Sequence, residues 1–179
     1  MIDIKDFQTY FSSSKPGLYA LFIRDLDCLY KIFTPEFCEK IIQQMEKYHC
    51  ENCIYIGKET GKLYSRVEGK HTNGKIRNST LRYTISYCAG MERYKVKEIS
   101  VSEKRKLKKC DEEKITNWIK QNTFFKIIET NDYNSLEHQY ISKYCPPLNI
   151  DNNPNAIITT GERINGFIDL SESEFNKLN

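Results

Sequence analysis

The stretch Gly17-Leu-Tyr-Ala-Leu-Phe-Ile-Arg24 is a short apolar and aromatic run that follows Lys15-Pro16. An apolar run of this length, opened by a proline, is typical of a buried strand. Two further runs of the same kind lie downstream, at Cys53-Ile-Tyr-Ile-Gly57 and at Thr123-Phe-Phe-Lys-Ile-Ile-Glu129. The sequence therefore predicts three strands that share a small sheet.

Segments with helical periodicity separate these strands. Residues 35–48 have the apolar spacing of an amphipathic helix, with Thr34 as its cap and Pro35 at its first position. Further helices are predicted at residues 60–67, 79–89, 112–121, 134–144 and directly after Ser171. The basic run 104–109 is expected to be an exposed loop or a helix start. This order of elements indicates an α+β domain with a small sheet.

Length and composition narrow the class of protein. The chain has 179 residues, which suits one domain with room for an insertion, and its 39% hydrophobic content excludes a disordered or collagen-like chain. Its apolar runs are shorter than the roughly 18 residues of a membrane helix, and Met1 to Asp6 do not resemble a secretory signal. We therefore expect a soluble, cytoplasmic protein with no membrane partner, whose seven cysteines are free thiols.

Charge is distributed unevenly along the chain. The net charge is +3, but residues 58–109 carry 15 Lys and Arg against 5 Asp and Glu, and the remainder carries 12 against 19. A basic middle between acidic ends is a candidate surface for a polyanion. The alternative is a solvated surface with a local excess of charge.

Four short motifs follow one another in order. Gly17-Leu18-Tyr19 opens the first predicted strand, and Tyr55-Ile56-Gly57 closes the second. Leu63-Tyr-Ser-Arg66-Val67 follows on a predicted helix. The fourth motif is the helical stretch Leu136-Glu-His-Gln-Tyr-Ile141 together with the loop Pro146-Pro-Leu-Asn149 that follows it. Together the motifs resemble those of the GIY-YIG nuclease superfamily, over roughly residues 16–153.

This resemblance implies a fold and a division of the chain. The expected fold class is α+β, a GIY-YIG-like, small, mainly antiparallel sheet flanked by helices, with a helical insertion between the first two strands. Residues 1–153 would form the nuclease-like domain, in which 25–52 are the insertion. Residues 154–179 would be a C-terminal extension packed on the same domain.

The resemblance also implies an activity and a site. It implies a metal-dependent endonuclease that hydrolyses phosphodiester bonds in DNA, with Mg²⁺ or Mn²⁺ held by Glu137. One carboxylate and several waters suit Mg²⁺, and a guanidinium can fork onto phosphate oxygens. A tyrosine can accept the proton of water where a cation lowers its pKa. The implied catalytic residues are Tyr19, Tyr55, Arg66, His71 and Asn149.

Within this set the resemblance gives each residue a role. Tyr19 would accept the proton of the attacking water, and Tyr55 would orient water or phosphate. Asn149 would form hydrogen bonds near the site and hold its loop. Either Lys58 or Lys62 could help to lower the pKa of the tyrosine, and the sequence does not choose between them.

Two features depart from the family pattern. Family members often have a short hairpin between the two tyrosines, whereas Tyr19 and Tyr55 are 36 positions apart. The family commonly places a histidine four residues after the arginine, but here Lys70 is four after Arg66 and His71 is five after. A helix end at Gly69 would put His71 beyond the helix, where α-helical spacing no longer applies.

Basic residues around these motifs are candidate contacts to a nucleic-acid backbone, DNA first, with RNA not excluded. Such contacts are salt-sensitive and do not read base sequence. One site cuts one strand per visit, so duplex cleavage would need two engagements or a homodimer. The candidate residues are Lys58, Lys62, Lys70, Lys75, Arg77 and Arg82.

Simpler interpretations exist for individual residues and for the whole protein. Taken singly, Tyr19 and Tyr55 could be sheet core, and Glu137 could form a capping box with Asn134. The chain could also be a nucleic-acid-binding module that kept this fold and lost catalysis, which the shifted His71 favours. A third alternative is a protein-interaction domain whose basic face binds an acidic partner.

Overall fold

A computed structural model describes residues 3–9, 12–97 and 104–179 of the chain. Residues 98–103 belong to the basic segment, and residues 1–2 belong to the N-terminal stretch considered above. The predictions of a basic surface and of an N-terminus unlike a secretory signal therefore fall, in these parts, outside the described residues.

Helices and strands are interspersed along the described residues. The strands are β1 (Gln8–Thr9), β2 (Gly17–Ile23), β3 (Cys53–Glu59), β4 (Arg93–Lys97), β5 (Lys104–Lys106), β6 (Thr123–Glu129) and β7 (Phe167–Ser171). The α-helices are α1 (Pro35–Tyr48), α2 (Thr80–Cys88), α3 (Lys109–Asn122), α4 (Tyr133–Tyr144), α5 (Thr160–Ile164) and α6 (Glu172–Asn176). A π-helix spans Ser65–Thr72, and 3₁₀ turns span Ile4–Asp6, Leu26–Lys31 and Ile76–Asn78.

The main sheet has four antiparallel strands in the order β1-β6-β2-β3. Every residue of β2 is buried, because this strand has neighbours on both edges and is covered on both faces. The three strands predicted from apolar runs are confirmed as β2, β3 and β6. The strands β2 and β3 pair directly, so the chain between them, which includes α1, leaves the sheet intact.

Helices flank this sheet. The helix α4 contacts β3 and β2, α1 contacts β3, and α3 contacts β6. The result is an α+β fold with a mainly antiparallel sheet flanked by helices, as predicted. Among the described helices, none has the length and apolar character needed to cross a membrane. All seven cysteines are free thiols, as expected from the sequence.

A second sheet, not predicted from the sequence, has the order β5-β4-β7. The strand β4 pairs with β5 in antiparallel and with β7 in parallel orientation. Tyr94 and Val96 alternate with basic residues along β4 and are buried with Phe175. The expectation for the run 104–109 is therefore partly wrong, since its first three residues form β5 and only Lys109 begins a helix.

Arg82 is buried, with no exposed surface, which corrects its prediction as a nucleic-acid contact. Its guanidinium forms an ion pair with Glu112 at 2.7 Å and donates hydrogen bonds to the carbonyl oxygens of His71 and Thr72. A nucleic acid cannot reach a side chain that is enclosed in this way. The arginine is instead a structural link between the end of the π-helix, α2 and α3.

We predict that Arg82→Met lowers the free energy of unfolding by about 3–5 kcal/mol, because it leaves a nearly buried carboxylate unpaired. Urea denaturation would measure the loss. The control is Lys40→Met, whose partner Glu36 is 70% exposed, so that its loss should stay below about 1 kcal/mol. Equal losses for the two variants would contradict a structural role for the buried pair.

Candidate active site

The site begins where Tyr19 of β2 lies opposite Gly57 of β3. A Cβ atom at Gly57 would lie 2.3 Å from the Tyr19 hydroxyl oxygen, so only glycine permits the phenol to pack there. Tyr55, two residues earlier on the same strand, stacks on Tyr19 with ring centroids 6.3 Å apart. The glycine of the second motif therefore makes room for the tyrosine of the first.

The π-helix brings Arg66 and His71 to the same atom of Tyr19. The Nε2 of His71 lies 2.8 Å from the Tyr19 hydroxyl, and the Nε–H of Arg66 donates to that hydroxyl at 3.3 Å. The helix continues through Gly69, so the expectation of a helix end there is wrong. Because π-helical hydrogen bonds span five residues, side chains five apart can share one face, which accommodates the shifted histidine.

Ser79, at the start of α2, fixes the other side of the His71 ring. Its Oγ lies 2.7 Å from His71 Nδ1 and also accepts the backbone N–H of Arg82 as the helix cap. Burial lowers the pKa of His71 well below its usual 6.5, and the positive charges of Arg66, Arg82 and Lys70 lower it further. The imidazole is therefore neutral near pH 7 and hydrogen-bonded at both nitrogens.

Both tyrosines of the site are protonated near neutral pH. Burial raises the pKa of Tyr19 well above its usual value, and the neighbouring Tyr55 adds to the rise. Burial likewise raises the pKa of Tyr55 to about 12. Arg66 lowers both values, but its charge does not outweigh burial. The free protein thus holds Tyr19 as a phenol that can donate a proton and accept one.

Glu137 of α4 is 13% exposed and forms an ion pair with Lys58 of β3, with 2.8 Å between Oε2 and Nζ. The capping box with Asn134 is wrong, because α4 begins after Asp132 and has no side-chain cap. Lys58 instead compensates the carboxylate. This ion pair joins α4 to the strand that carries the second motif.

Asn149 binds the outer edge of β3. Its Nδ2 donates to the carbonyl oxygen of Ile56 at 2.7 Å, and its Oδ1 accepts the Ile56 N–H at 2.8 Å. The buried side chain therefore behaves like one residue of an additional strand. It holds the loop after α4 beside the site, and both groups of its amide are already engaged.

A cleft of about 450 Å³ joins most of the predicted site residues. Its lining includes Tyr19, Tyr55, Lys58, Arg66, Lys70, Glu137 and Asn149. His71 is fully buried beside the Tyr19 ring, and Lys62 is exposed. Lys75 and Arg77 lie elsewhere, in a second cavity.

Sequence reasoning missed several residues of the site. Ser79 could have been found as a serine directly before a predicted helix. Thr80, Asp151 and Asn152 also line the cleft. Their only sequence signal is their closeness to a predicted helix start or to Asn149.

The cleft offers a divalent cation few protein ligands. No group of three or more His, Cys, Asp or Glu side chains in the described parts of the chain is arranged to hold a metal. Glu137 is nearly buried, and Asp151 lines the same cleft. These donors fit a hydrated Mg²⁺ or Mn²⁺ bound through one carboxylate, since Mg²⁺ keeps several of its waters.

An antiparallel sheet with two tyrosines, an arginine and a glutamate around one cleft defines the class of domain expected from the motifs. The family model of the GIY-YIG catalytic domain matches residues 17–163. The chain therefore belongs to the GIY-YIG family, which indicates a nuclease domain and implies a nucleic-acid substrate. No curated protein and no solved structure matches the chain.

We predict that Gly57→Ala lowers the free energy of unfolding by about 1–3 kcal/mol, because the new methyl group forces the Tyr19 ring to move. The matched control is Gly69→Ala in the π-helix, where a Cβ meets nothing within 4 Å. That change should be neutral or stabilise the protein by up to about 1 kcal/mol. Thermal and urea unfolding of both variants would measure the difference, and similar losses would refute the close packing.

We predict that His71 makes the protein less stable below about pH 6.5. The pKa of His71 is lower in the folded than in the unfolded state, so only the unfolded state gains its proton as the pH falls. This one group should cost about 1.4 kcal/mol between pH 7.5 and 5.5, measured by urea unfolding. His71→Gln should remove that part of the pH dependence.

If His71→Gln fails to fold, the side-chain ¹⁵N signals of His71 provide a second measurement. They should stay in the neutral form at pH 5.5, with the exposed His49 and His138 as reference signals. Protonation of His71 near pH 6.5 in the folded protein would contradict the prediction.

Proposed function

We propose that the protein is a metal-dependent endonuclease that hydrolyses phosphodiester bonds in DNA. The observation that carries this proposal is the single cleft lined by Tyr19, Arg66 and Glu137. Hydrolysis of a phosphodiester needs positive charge on the phosphate, a group that receives the proton of water, and help for the leaving oxygen. The lining of the cleft includes a side chain suited to each need.

Binding of the phosphate would fall to Arg66, with Lys70 as a second cation on the cleft wall. The Nε–H of Arg66 is engaged by Tyr19, which fixes the plane of the guanidinium. Its two terminal nitrogens would then bind phosphate oxygens as a fork, which strengthens as charge accumulates on them. Tyr55, at the edge of the cleft, would orient the phosphate or the attacking water.

Proton transfer would run through Tyr19 and His71. Tyr19 is a phenol at rest, so it can take a proton from water only while it passes its own proton onward. His71 Nε2 lies 2.8 Å away and can receive that proton when Nδ1–H is donated to Ser79 Oγ. The transfer makes one hydroxide, leaves Tyr19 neutral and gives a short-lived imidazolium.

Glu137 would hold the cation. When bound, Mg²⁺ or Mn²⁺ acts as a Lewis acid that offsets negative charge on the phosphate and the leaving oxygen. Lys58 pairs with Oε2 of the same carboxylate and so fixes its orientation. Asn149 would act as a positioning residue through the loop it holds. Lys62 remains a candidate backbone contact, and duplex cleavage would require a homodimer or two engagements.

The second candidate function is nucleic-acid binding without catalysis. The sequence favours it through the position of His71, which comes one residue later than in the family pattern. Within the π-helix the imidazole reaches Tyr19, so the extra residue is no longer an argument for lost catalysis. Binding of an acidic protein would not require the buried hydrogen bond between Tyr19 and His71. Catalysis is therefore the function that the geometry supports best.

We predict that Glu137→Gln slows cleavage of supercoiled plasmid at least 100-fold, because it removes the charge that would hold the cation. The matched control is Glu46→Gln on the exposed surface of α1, which should cleave at the wild-type rate. Circular dichroism should show both variants folded. Wild-type cleavage by Glu137→Gln would refute the mechanism.

Parallel reactions would define the substrate. Supercoiled plasmid, branched DNA and RNA are each incubated with Mg²⁺, Mn²⁺ or EDTA, and we expect cleavage of DNA in the metal reactions alone. Binding without cleavage under every condition would select the inactive module. Cleavage of RNA alone would replace DNA as the proposed substrate.

A further inference from the structure

A second cavity lies outside the cleft and is larger, with a volume of about 730 Å³ against 450 Å³. One wall is the turn after the π-helix, which carries Lys75 and Arg77. The opposite walls are β5, the start of α3 and the C-terminal end of the chain, with Arg105 and Lys109 among them. No part of the proposed catalytic chemistry uses this cavity.

Among the side chains that line the cavity, five are Lys or Arg and two are Glu, and Lys106 is paired with Glu172. Lys75 and Arg77 are exposed and form no ion pair with any described residue. Lys109 and Glu113 are 3.9 Å apart and mostly exposed, so their attraction is weak. Arg105 stacks over the ring of Tyr83 at 5.0 Å, which holds its guanidinium without neutralising it.

The remaining acid of the cavity, Glu112, is already engaged. Its Oε2 forms the ion pair with Arg82, and its Oε1 accepts the backbone N–H of Ile76 at 2.9 Å. This carboxylate therefore does not cancel the charge of the exposed cations. Glu112 instead attaches the turn with Lys75 and Arg77 to the helix α3.

The π-helix and the turn after it connect the cleft to the cavity. Arg66 and His71 on the π-helix face the Tyr19 hydroxyl, and the chain then turns directly into the wall of the cavity. The turn packs closely on the helix, since a Cβ at Gly74 would lie 2.1 Å from the carbonyl oxygen of Lys70. The wall of the cavity is thus packed directly on the helix whose Arg66 and His71 reach Tyr19.

We propose that this basic cavity binds the phosphodiester backbone of the same nucleic acid whose scissile bond lies in the cleft. The proposal rests on the proposed function and adds a second anchoring site to it. Lys70 lines the cleft and Lys75, five residues later in the sequence, lines the cavity, so one short stretch of chain contributes a cation to each site. A long polyanion can bind the cations of both sites at once, which a short acidic peptide is less suited to do.

The test compares two double variants with equal loss of charge. The cavity variant, Lys75→Gln with Arg77→Gln, removes both cations from one wall of the cavity. The control variant, Lys47→Gln with Lys120→Gln, removes two exposed cations elsewhere on the surface. Both are made in the 179-residue chain that carries Glu137→Gln, and binding is measured in EDTA so that DNA is bound and not cut. Fluorescence anisotropy with a labelled DNA duplex gives the Kd at several salt concentrations.

We expect the cavity variant to bind about 10-fold more weakly at 0.1 M salt, and its slope of log Kd against log salt to fall by about 2. The control variant should match the parent protein. Adding Lys109→Gln, on the opposite wall, should lower the slope by about 1 more.

Each other outcome overturns a defined claim. If the parent protein binds DNA and the cavity variant binds it equally well with the same slope, the cavity proposal alone fails. If the parent protein binds neither DNA nor RNA, the proposed function fails and the cavity proposal fails with it. If the cavity variant loses binding of poly-glutamate and keeps binding of DNA, the cavity is an interface for an acidic protein.

Discussion

The hydrogen bond between the Tyr19 hydroxyl and His71 Nε2 is the interaction on which the site depends. It forms only because Gly57 has no side chain where the phenol packs, and because β2 and β3 hold these two residues opposite each other. Since Arg66 donates to the same hydroxyl, any movement of the ring would disturb three side chains at once. The sheet register therefore determines the geometry of the site.

The π-helix is the element that adapts this chain to the site. Such a turn has poorer backbone geometry than an α-helix, so neighbouring contacts must stabilise it. Arg82 supplies them, because its guanidinium binds the carbonyl oxygens of His71 and Thr72 at the end of the helix. The buried ion pair with Glu112 then ties that end to α3. A buried charge outside the lining of the cleft thus supports the position of His71 beside Tyr19.

Sequence reasoning predicted the main sheet because its strands are continuous apolar runs, and it predicted α1 because apolar spacing and Pro35 agree. It missed β4, in which Arg93, Lys95 and Lys97 alternate with the apolar residues and make the sequence resemble a solvated loop, although Arg93 is in fact buried. It predicted Arg82 as a surface contact, because its partner Glu112 is 30 residues away and local sequence patterns do not reveal such a pair. The catalytic roles of Tyr19 and Glu137 depend on the motif order and remain predictions.

The position of His71 five residues after Arg66, with Lys70 at four, determines which of these side chains is buried and which is exposed. An α-helical spacing would direct Lys70 to the enclosed position behind Tyr19, where an ammonium group would lose its hydration at a large cost in free energy. The π-helical spacing places a neutral imidazole there and leaves Lys70 exposed on the cleft. The fully buried side chains of Tyr19 and His71 are thus uncharged, while Lys70 on the cleft keeps contact with water. A five-residue spacing is consistent with catalysis because it preserves this separation.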